Sequence, residues 1–204
     1  HNEQSVRVVE RLEKDGMGLN LTWEVRDGIL NHQLSGNPST LEGKVVRYAD
    51  KIAYINHDVD DSIRAGIIRE EDLPDTYTDI LGHSTRERLN TLIHDIVNQS
   101  KDKPDIQMSE DVEFAFRGMR KYMFENVYTN PRAKGEEQKA ENILRELFQY
   151  YMEHPELLST EYIERMWQSG ETQERSVCDY ISGMTDQYAI AKFQEFFVPV
   201  AWRY

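Results

Sequence analysis

The chain has 204 residues, with 37 acidic against 24 basic side chains and a formal net charge of −13. This length suffices for one sizeable hydrophobic core. The acidic excess disfavours a general nucleic-acid or anionic-membrane surface but leaves room for a local basic pocket that binds phosphate. No apolar run approaches the length of a membrane span, and no segment resembles a secretion signal. We therefore predict a cytoplasmic protein with neither a membrane nor a nucleic acid as partner.

The first 40 residues predict two helices. A helical pattern begins directly at His1, and a glycine-rich break at 15–18 ends it. A second helix is predicted from Leu21 to Leu34. Its core candidates are Trp23, Val25, Ile29 and Leu30. His32 lies near the end of this helix. It is either a site residue or a residue that contacts the last carbonyls and interacts with the helix dipole, and its position favours the second alternative.

The central segment, LEGKVVRYADKIAYINHDVDDSIRAG from Leu41 to Gly66, predicts a long amphipathic helix capped by Ser39 or Thr40. Its apolar band comprises Val45, Ala49, Ile52, Ile55, Val59 and Ile63. The opposite side carries Arg47, Asp50, Tyr54, Asp58 and Asp61, flanked by Lys51 and His57. Stacked carboxylates repel one another unless water, a cation or hydrogen-bond donors surround them. The stripe is therefore either a solvated face, which the pattern alone favours, or a binding site.

The remainder of the chain also predicts helices and no strand. Ser84 with Glu87 forms a capping-box pattern before a helix that ends near Lys101. A polar break follows at 101–108. Three further helices are predicted at 109–128, 135–154 and 160–168, and one long helix or pair of helices at 171–197. Nothing alternates with period two for more than a few residues, so the predicted class is all-α. The sole cysteine, Cys178, cannot form an internal disulfide and is predicted to be a small buried helical residue.

Three segments, in this order, carry a family resemblance: HNEQSVRVVERLE, VVRYADKIAYINHDVDDSIRAGI and VCDYISGMTDQYA. They resemble the deoxynucleoside triphosphate triphosphohydrolases, the dGTPase branch of the HD-domain superfamily. The resemblance spans almost the whole chain. It implies part of an HD-domain-like helical bundle at 1–103 and a helical phosphohydrolase-associated region at 104–204.

The resemblance also implies a reaction, in which a dNTP and water give a deoxynucleoside and triphosphate. Family members hold one divalent cation between two histidines and two aspartates, and Asp50 matches the last aspartate. The ion would be Mn, Mg, Fe or a related metal. Lys51 matches a phosphate contact, Tyr54 a ring that packs on the 2′ side of the sugar, and Asp58 an acceptor for the 3′-hydroxyl. His1 matches a histidine near the phosphates that can take part in proton transfer.

The family's other metal ligands come from upstream segments with two histidines and an adjacent His-Asp pair. The chain holds no counterpart, since its His57-Asp58 and His94-Asp95 dipeptides lie on other helices. We therefore expect a C-terminal part of a longer enzyme that is inactive or nearly so alone. We also expect a homo-oligomer, as is common in the family.

Two alternatives stay open at this stage. The chain could belong to another HD phosphohydrolase, or it could be a non-catalytic nucleotide-binding module with a regulatory or assembly role. A basic group of Arg117, Arg120 and Lys121 is read as simple surface charge in preference to a phosphate or second-nucleotide site.

Overall fold

The computed structural model of the protein describes residues 1–33 and 35–200, apart from the side chains at 132, 133, 165, 168 and 169. This described part contains helices and no β-strand, which confirms the all-α class. None of its helices combines the length and apolar composition that crossing a membrane requires. The chain divides into two compact units, residues 1–130 and 131–204. The predicted family regions, 1–103 and 104–204, are a separate division and stay a prediction.

The described residues of the first unit form six α-helices with short 3-10 or π-helical extensions. They are α1 (Asn2–Arg7), α2 (Trp23–Leu30), α3 (Leu41–Arg64), α4 (Asp75–Leu81), α5 (Thr85–Ser100) and α6 (Glu110–Met123). A π-helical turn at Val8–Leu12 follows α1, a 3-10 turn at Glu70–Asp72 precedes α4, and a second π-helical turn at Phe124–Tyr128 extends α6. These elements position the candidate site.

The central helix α3 forms as predicted. The hydroxyl of Thr40 accepts a hydrogen bond from the Gly43 N–H at 3.1 Å and so caps its first turn. Ile52, Ile55 and Val59 are almost fully buried against the core. Val45, by contrast, is 50% exposed, so the apolar band is buried only from Ile52 onwards.

Helix α2 corrects the predicted core. It is shorter than the predicted Leu21 to Leu34, whose end, Leu34, lies outside the described residues. Trp23, Val25 and Leu30 are exposed, so three of the four core candidates were wrong. The reason is that α2 approaches α3 through a glycine pair: a Cβ added to Gly28 would lie 3.6 Å from the Cα of Gly43. Close approach at this pair leaves the flanking large side chains on the outside.

The core of the first unit lies where α3, α4, α5 and α6 meet. Its most completely buried apolar side chains are Val59, Leu81, Leu92, Ala115, Met119 and Met123. A buried arginine, Arg88, crosses from α5 to α3 and donates from Nε to the Oδ1 of Asn56 at 3.2 Å. This contact fixes the buried side of α3, opposite the polar stripe.

The part of the second unit that the structure describes, up to residue 200, forms four α-helices and one 3-10 turn at Pro155–Leu157. The α-helices are α7 (Pro131–Glu153), α8 (Thr160–Ser169), α9 (Gln173–Ser182) and α10 (Asp186–Phe197). Helix α7 begins at Pro131 and not at Gly135, because proline is well suited to the first helical position, where its missing N–H costs nothing. Leu147 and Val177 are fully buried in the core of this unit. The hydroxyl of Thr185 caps α10 by accepting from the Tyr188 N–H at 3.2 Å.

The prediction that Cys178 is buried was wrong, because its side chain is exposed. Its neighbours Val177 and Asp179 face the interior, so Cys178 falls on the outer side of α9. Asp179 is kept there by an ion pair with Arg175 at 2.8 Å.

Candidate functional site

The histidine-asparagine pair at the start of the chain is bound to the end of α2. Asn2 donates from Nδ2 to the carbonyl of Leu30 at 2.7 Å. The hydroxyl of Ser5 donates to the carbonyl of His1 at 3.0 Å. These contacts place the imidazole of His1 beside that of His32, with the two Nε2 atoms 3.2 Å apart and the rings edge to face.

His32 makes the predicted contact with the end of its helix, and its ring also lines the cleft described below. Its Nδ1 lies 2.6 Å from the carbonyl oxygen of Ile29, in the last turn of α2. Since a carbonyl can only accept, this Nδ1 carries the hydrogen, and a neutral ring then offers Nε2 as an acceptor. His1 can donate its Nε2–H to that acceptor. The C-terminal contact of His32 therefore orients the ring that holds His1.

One wall of the site is the polar side of α3. Asp50 and Tyr54 are exposed there, one turn apart, and Lys51 is half-buried between this side and the core. Asp61, further along, forms an ion pair with Arg64 at 3.2 Å and lies outside the cleft.

The opposite wall is α6 with its π-helical turn. Arg120, Phe124 and Tyr128 recur every four residues on one side of this segment and face the α3 wall. π-helical turns are uncommon and occur frequently at functional sites. The two walls enclose a cleft of about 660 Å³. It is lined by His1, His32, Gln33, Asp50, Lys51, Tyr54, Ile55, Arg120, Phe124 and Tyr128.

The basic group on α6 separates into two kinds of residue. Arg117 pairs with Glu113 at 2.6 Å, and Lys121 lies 3.7 Å from Glu125, so both are surface ion pairs as predicted. Arg120 has no ion-pair partner in the described part of the chain and instead lines the cleft.

Positive charge is concentrated around Lys51. Its burial, followed by the charges of Arg47, Arg120 and Arg117, lowers the pKa of Lys51 to about 8. In a chain with a net charge of −13, this grouping of cations is a local region of positive charge, which favours anions. Lys51 also lies above the ring of Tyr48, with 5.6 Å from Nζ to the centroid.

The far end of the stripe is joined to α6 by a hydrogen bond. The hydroxyl of Tyr128 donates to Oδ2 of Asp58, across 70 positions of sequence. Burial raises the pKa of Asp58 above its ordinary value, while this hydrogen bond acts in the opposite direction. Burial and the same bond raise the pKa of Tyr128, which keeps the phenol protonated and able to donate.

The described residues do not form a complete metal site. No group of three or more histidine, cysteine, aspartate and glutamate side chains is arranged there to hold an ion. Asp50 is nevertheless an exposed carboxylate in a cleft that also contains two imidazoles. The described residues can therefore supply one hard oxygen ligand, from Asp50, to a divalent cation, but they do not supply a full coordination shell.

Four of the five predicted site residues, His1, Asp50, Lys51 and Tyr54, therefore line one cleft, and the fifth, Asp58, contacts a lining residue. Their individual roles stay predictions. The sequence interpretation did not include Tyr128 in the site and took Arg120 as surface charge. The spacing of Arg120, Phe124 and Tyr128 at intervals of four was the available signal, since it places all three on one helical side.

Comparisons with known proteins agree with this architecture. The model of the phosphohydrolase-associated domain matches residues 106–195, which include the α6 wall of the cleft. The similarity to this domain thus covers less than half of the chain.

Individual relatives narrow the assignment. The deoxyguanosinetriphosphate triphosphohydrolase-like protein of Caldanaerobacter subterraneus subsp. tengcongensis is 48% identical over 202 residues, which are 99% of this chain and 59% of that protein. A protein of the same description from Clostridium perfringens is 48% identical over 212 residues, covering 98% of this chain and 60% of that protein. One from Bordetella pertussis is 32% identical over 249 residues, covering 97% and 64%.

Over almost its whole length this chain is similar to dGTPase-like proteins, and this similarity supports the dGTPase-like HD family. It spans about 60% of the length of the curated relatives it matches first.

Proposed function

We propose that the protein acts in the hydrolysis of a deoxynucleoside triphosphate to the deoxynucleoside and inorganic triphosphate. The observation that carries the proposal is the single cleft in which the cations around Lys51 lie beside the Asp50 carboxylate and the aromatic side chain of Tyr54. The positive charges can neutralise the negative charge of a triphosphate, and a sugar can pack on the aromatic ring of Tyr54. The names of the relatives, as dGTP triphosphohydrolase-like proteins, support the same substrate class.

Each part of the cleft has a proposed role. Lys51 and Arg120 bind the phosphates, where Arg120 offers a planar fork of donors and Lys51 a compact point charge. Tyr54 packs on the 2′ side of the sugar, where a ribose hydroxyl would collide with the ring. Asp58 accepts from the 3′-hydroxyl. The site would then select the deoxy sugar in two ways: Tyr54 excludes a 2′-hydroxyl by its shape, and Asp58 binds the 3′-hydroxyl by a hydrogen bond.

The proposed role of His1 is proton transfer near the phosphates. A neutral imidazole has one donor and one acceptor nitrogen, so its tautomer decides which nitrogen can act. The hydrogen bond to His32 Nε2 holds the hydrogen of His1 on Nε2 and leaves Nδ1 as the acceptor. His32 thus selects the tautomer of the catalytic candidate.

Asp50 is proposed to supply one ligand to a divalent cation such as Mn, Mg or Fe. The ion would withdraw charge from the triphosphate and polarise water. Cytoplasmic location and homo-oligomeric assembly are further predictions of the family assignment.

The test is product analysis with protein expressed from the complete coding sequence that contains this chain. It is incubated with dGTP, or a mixture of dNTPs, and Mn²⁺ or Mg²⁺, and the products are separated by ion-exchange chromatography. Release of triphosphate and deoxynucleoside is expected, and Asp50→Ala should abolish it. Asp61→Ala is the matched control, because it removes a carboxylate from the same side of α3 but outside the cleft.

One observation favours a second candidate function. Because the described residues hold no group of three metal-binding side chains, a nucleotide-binding module without hydrolysis is the alternative. Calorimetric binding of dGTP by a protein that releases no triphosphate with either metal would establish the alternative and refute the hydrolase.

A further inference from the structure

Helix α2 and the first half of α3 carry large apolar side chains that are exposed to solvent. Each is 39–57% exposed, and they are Trp23, Val25, Leu30, Leu41, Val45 and Val46. Single exposed apolar residues are ordinary, whereas several of them in one region mark a surface that binds another molecule or another part of the same protein. The first half of the α3 apolar band therefore has a use that the core of the first unit does not explain.

Two of these side chains line a groove between the helices. Val25 of α2 and Val46 of α3 border it, together with Ile29 and the closely spaced Gly28 and Gly43. The groove has a volume of about 510 Å³. Because only glycines stand at the contact between α2 and α3, the groove has room for the side chains of a third helix.

His32 joins this groove to the candidate site. It lines both the groove and the cleft that contains Asp50. On α3, Val46 precedes Asp50 by about one helical turn. A segment bound in the groove would therefore lie at the edge of the cleft.

The charges at the groove disfavour a second copy of this chain as its occupant. Glu24 and Glu42 are among the lining residues. In an isologous pair the same face of each copy meets the other, so these carboxylates would face one another between chains that each carry a net charge of −13. The complementary occupant has an apolar stripe with lysine or arginine beside it.

The lengths of the relatives indicate a source for such an occupant. The match covers 99% of this chain but 59% of the Caldanaerobacter protein, and 98% of this chain but 60% of the Clostridium perfringens protein. About 40% of each relative thus lies outside the similarity. This amount of polypeptide is enough to supply a helix to the groove.

We propose that the α2–α3 groove binds an amphipathic helix from a part of the same polypeptide outside these 204 residues. Its apolar side chains lie between Val25 and Val46, its basic side chains lie beside Glu24 and Glu42, and it borders the cleft at His32. This inference goes beyond the proposed function, because it concerns the assembly of the protein and requires no hydrolysis.

Photo-crosslinking in protein expressed from the complete coding sequence tests the inference. The photoreactive amino acid p-benzoylphenylalanine replaces Val46, the protein is irradiated without a nucleotide, and crosslinked peptides are identified by mass spectrometry. The expected product has the mass of one polypeptide on a denaturing gel and joins position 46 to a peptide from outside the 204 residues. Val97 is the matched control position, because it is 60% exposed on α5 and does not line the groove, and no link to that peptide is expected there.

Several results of this experiment would overturn the inference. A product with the mass of two polypeptides would place a second molecule on the face. Links only to peptides within residues 1–204, or no crosslink at all, would show that no further segment covers it. A coding sequence that encodes no polypeptide beyond these residues would have the same consequence.

A pair of substitutions tests the same point without a bulky probe. Val46 is 55% exposed and Val97 is 60% exposed, so without an occupant Val46→Asp and Val97→Asp should change stability alike. With a helix in the groove, Val46→Asp puts a carboxylate against apolar side chains and should lower the melting temperature by roughly 5 °C more than Val97→Asp does. Equal shifts would contradict the inference. Neither measurement uses a nucleotide, so a failure of the proposed function and a failure of this inference appear in different experiments.

Discussion

Replacing Arg88 with methionine should destabilise the first unit by about 3 kcal/mol. Arg88 is 1% exposed and donates to the buried Asn56 at 3.2 Å, to Glu70 at 3.0 Å and to the hydroxyl of Thr85 at 3.0 Å. Methionine keeps the straight apolar stem, so little cavity forms. Asn56, 3% exposed, loses the only described donor to its Oδ1, which costs about 1–3 kcal/mol.

The other partners of Arg88 contribute less to this figure. The side chains of Glu70 and Asp60 are 49% and 36% exposed, so water replaces part of what they lose. About 1 kcal/mol is allotted to these two ion pairs together. The lost hydrogen bond to Thr85 adds about 0.5–1 kcal/mol.

Hydrogen exchange of the α3 and α5 amides is the appropriate assay, because it reports on the unit that contains Arg88 and does not require the whole chain to unfold in one step. A loss of about 3 kcal/mol corresponds to exchange faster by on the order of 100-fold. The double variant Arg88→Met with Asn56→Leu should recover part of the loss, since it removes the unpaired acceptor. Unchanged exchange in Arg88→Met, or faster exchange in the double variant than in the single one, would show that Arg88 does not stabilise this unit through Asn56.

The remaining predictions concern the cleft, a tight helix contact and a cap. Affinity for inorganic triphosphate, measured by calorimetry, should fall as pH rises from 7 to 9, because Lys51 loses its proton with a pKa of about 8; Lys51→Arg stays charged and should remove this fall. Gly118→Ala should lower the melting temperature of the protein, because the new Cβ would lie 2.3 Å from the ring of Tyr77, and Tyr77→Leu should relieve the effect. Thr40→Ala should cost about 1 kcal/mol, seen as faster exchange in the first turn of α3, whereas Thr40→Ser should not.

Local chemistry explains what the sequence could predict. The α3 helix was recognisable from an apolar period that continues to Ile63, from a threonine at its N-cap and from Gly66, whose φ of +66° suits the residue after a helix. The polar stripe followed from the same period. These signals depend on residues within a few positions of one another, so no knowledge of the tertiary structure was needed.

Packing partners decided the features that the sequence did not reveal. Trp23 and Val25 are apolar at helical spacing, yet they are exposed because α2 approaches α3 through Gly28. Cys178 is exposed because Val177 and not Cys178 faces the interior of its unit. Hydrophobicity alone indicates that a side chain favours burial, and the contact geometry decides which of several candidates is buried.

In the candidate site, too, some residues could be predicted from the sequence and others depend on the tertiary structure. The family resemblance identified five residues from the first two motifs, and four of them line one cleft. The spacing of four placed Tyr128 on one side of its helix with Arg120, but its contact with Asp58, 70 positions away, could not be predicted from a local pattern. Arg120 was grouped with Arg117 and Lys121. It differs from them because it lines the cleft and has no described ion-pair partner.

The cations at the cleft also carry an energetic argument for function. The pKa of Lys51 falls from 10.5 to about 8 on folding, mainly through burial and then through the charge of Arg47. The unfolded chain therefore holds this proton more tightly than the folded one, so the folded state gains stability as pH rises from about 8 towards 10.5. At neutral pH, the charged Lys51 works against folding. Under the function proposed above, an anionic ligand that binds beside Lys51 and Arg120 would offset that cost.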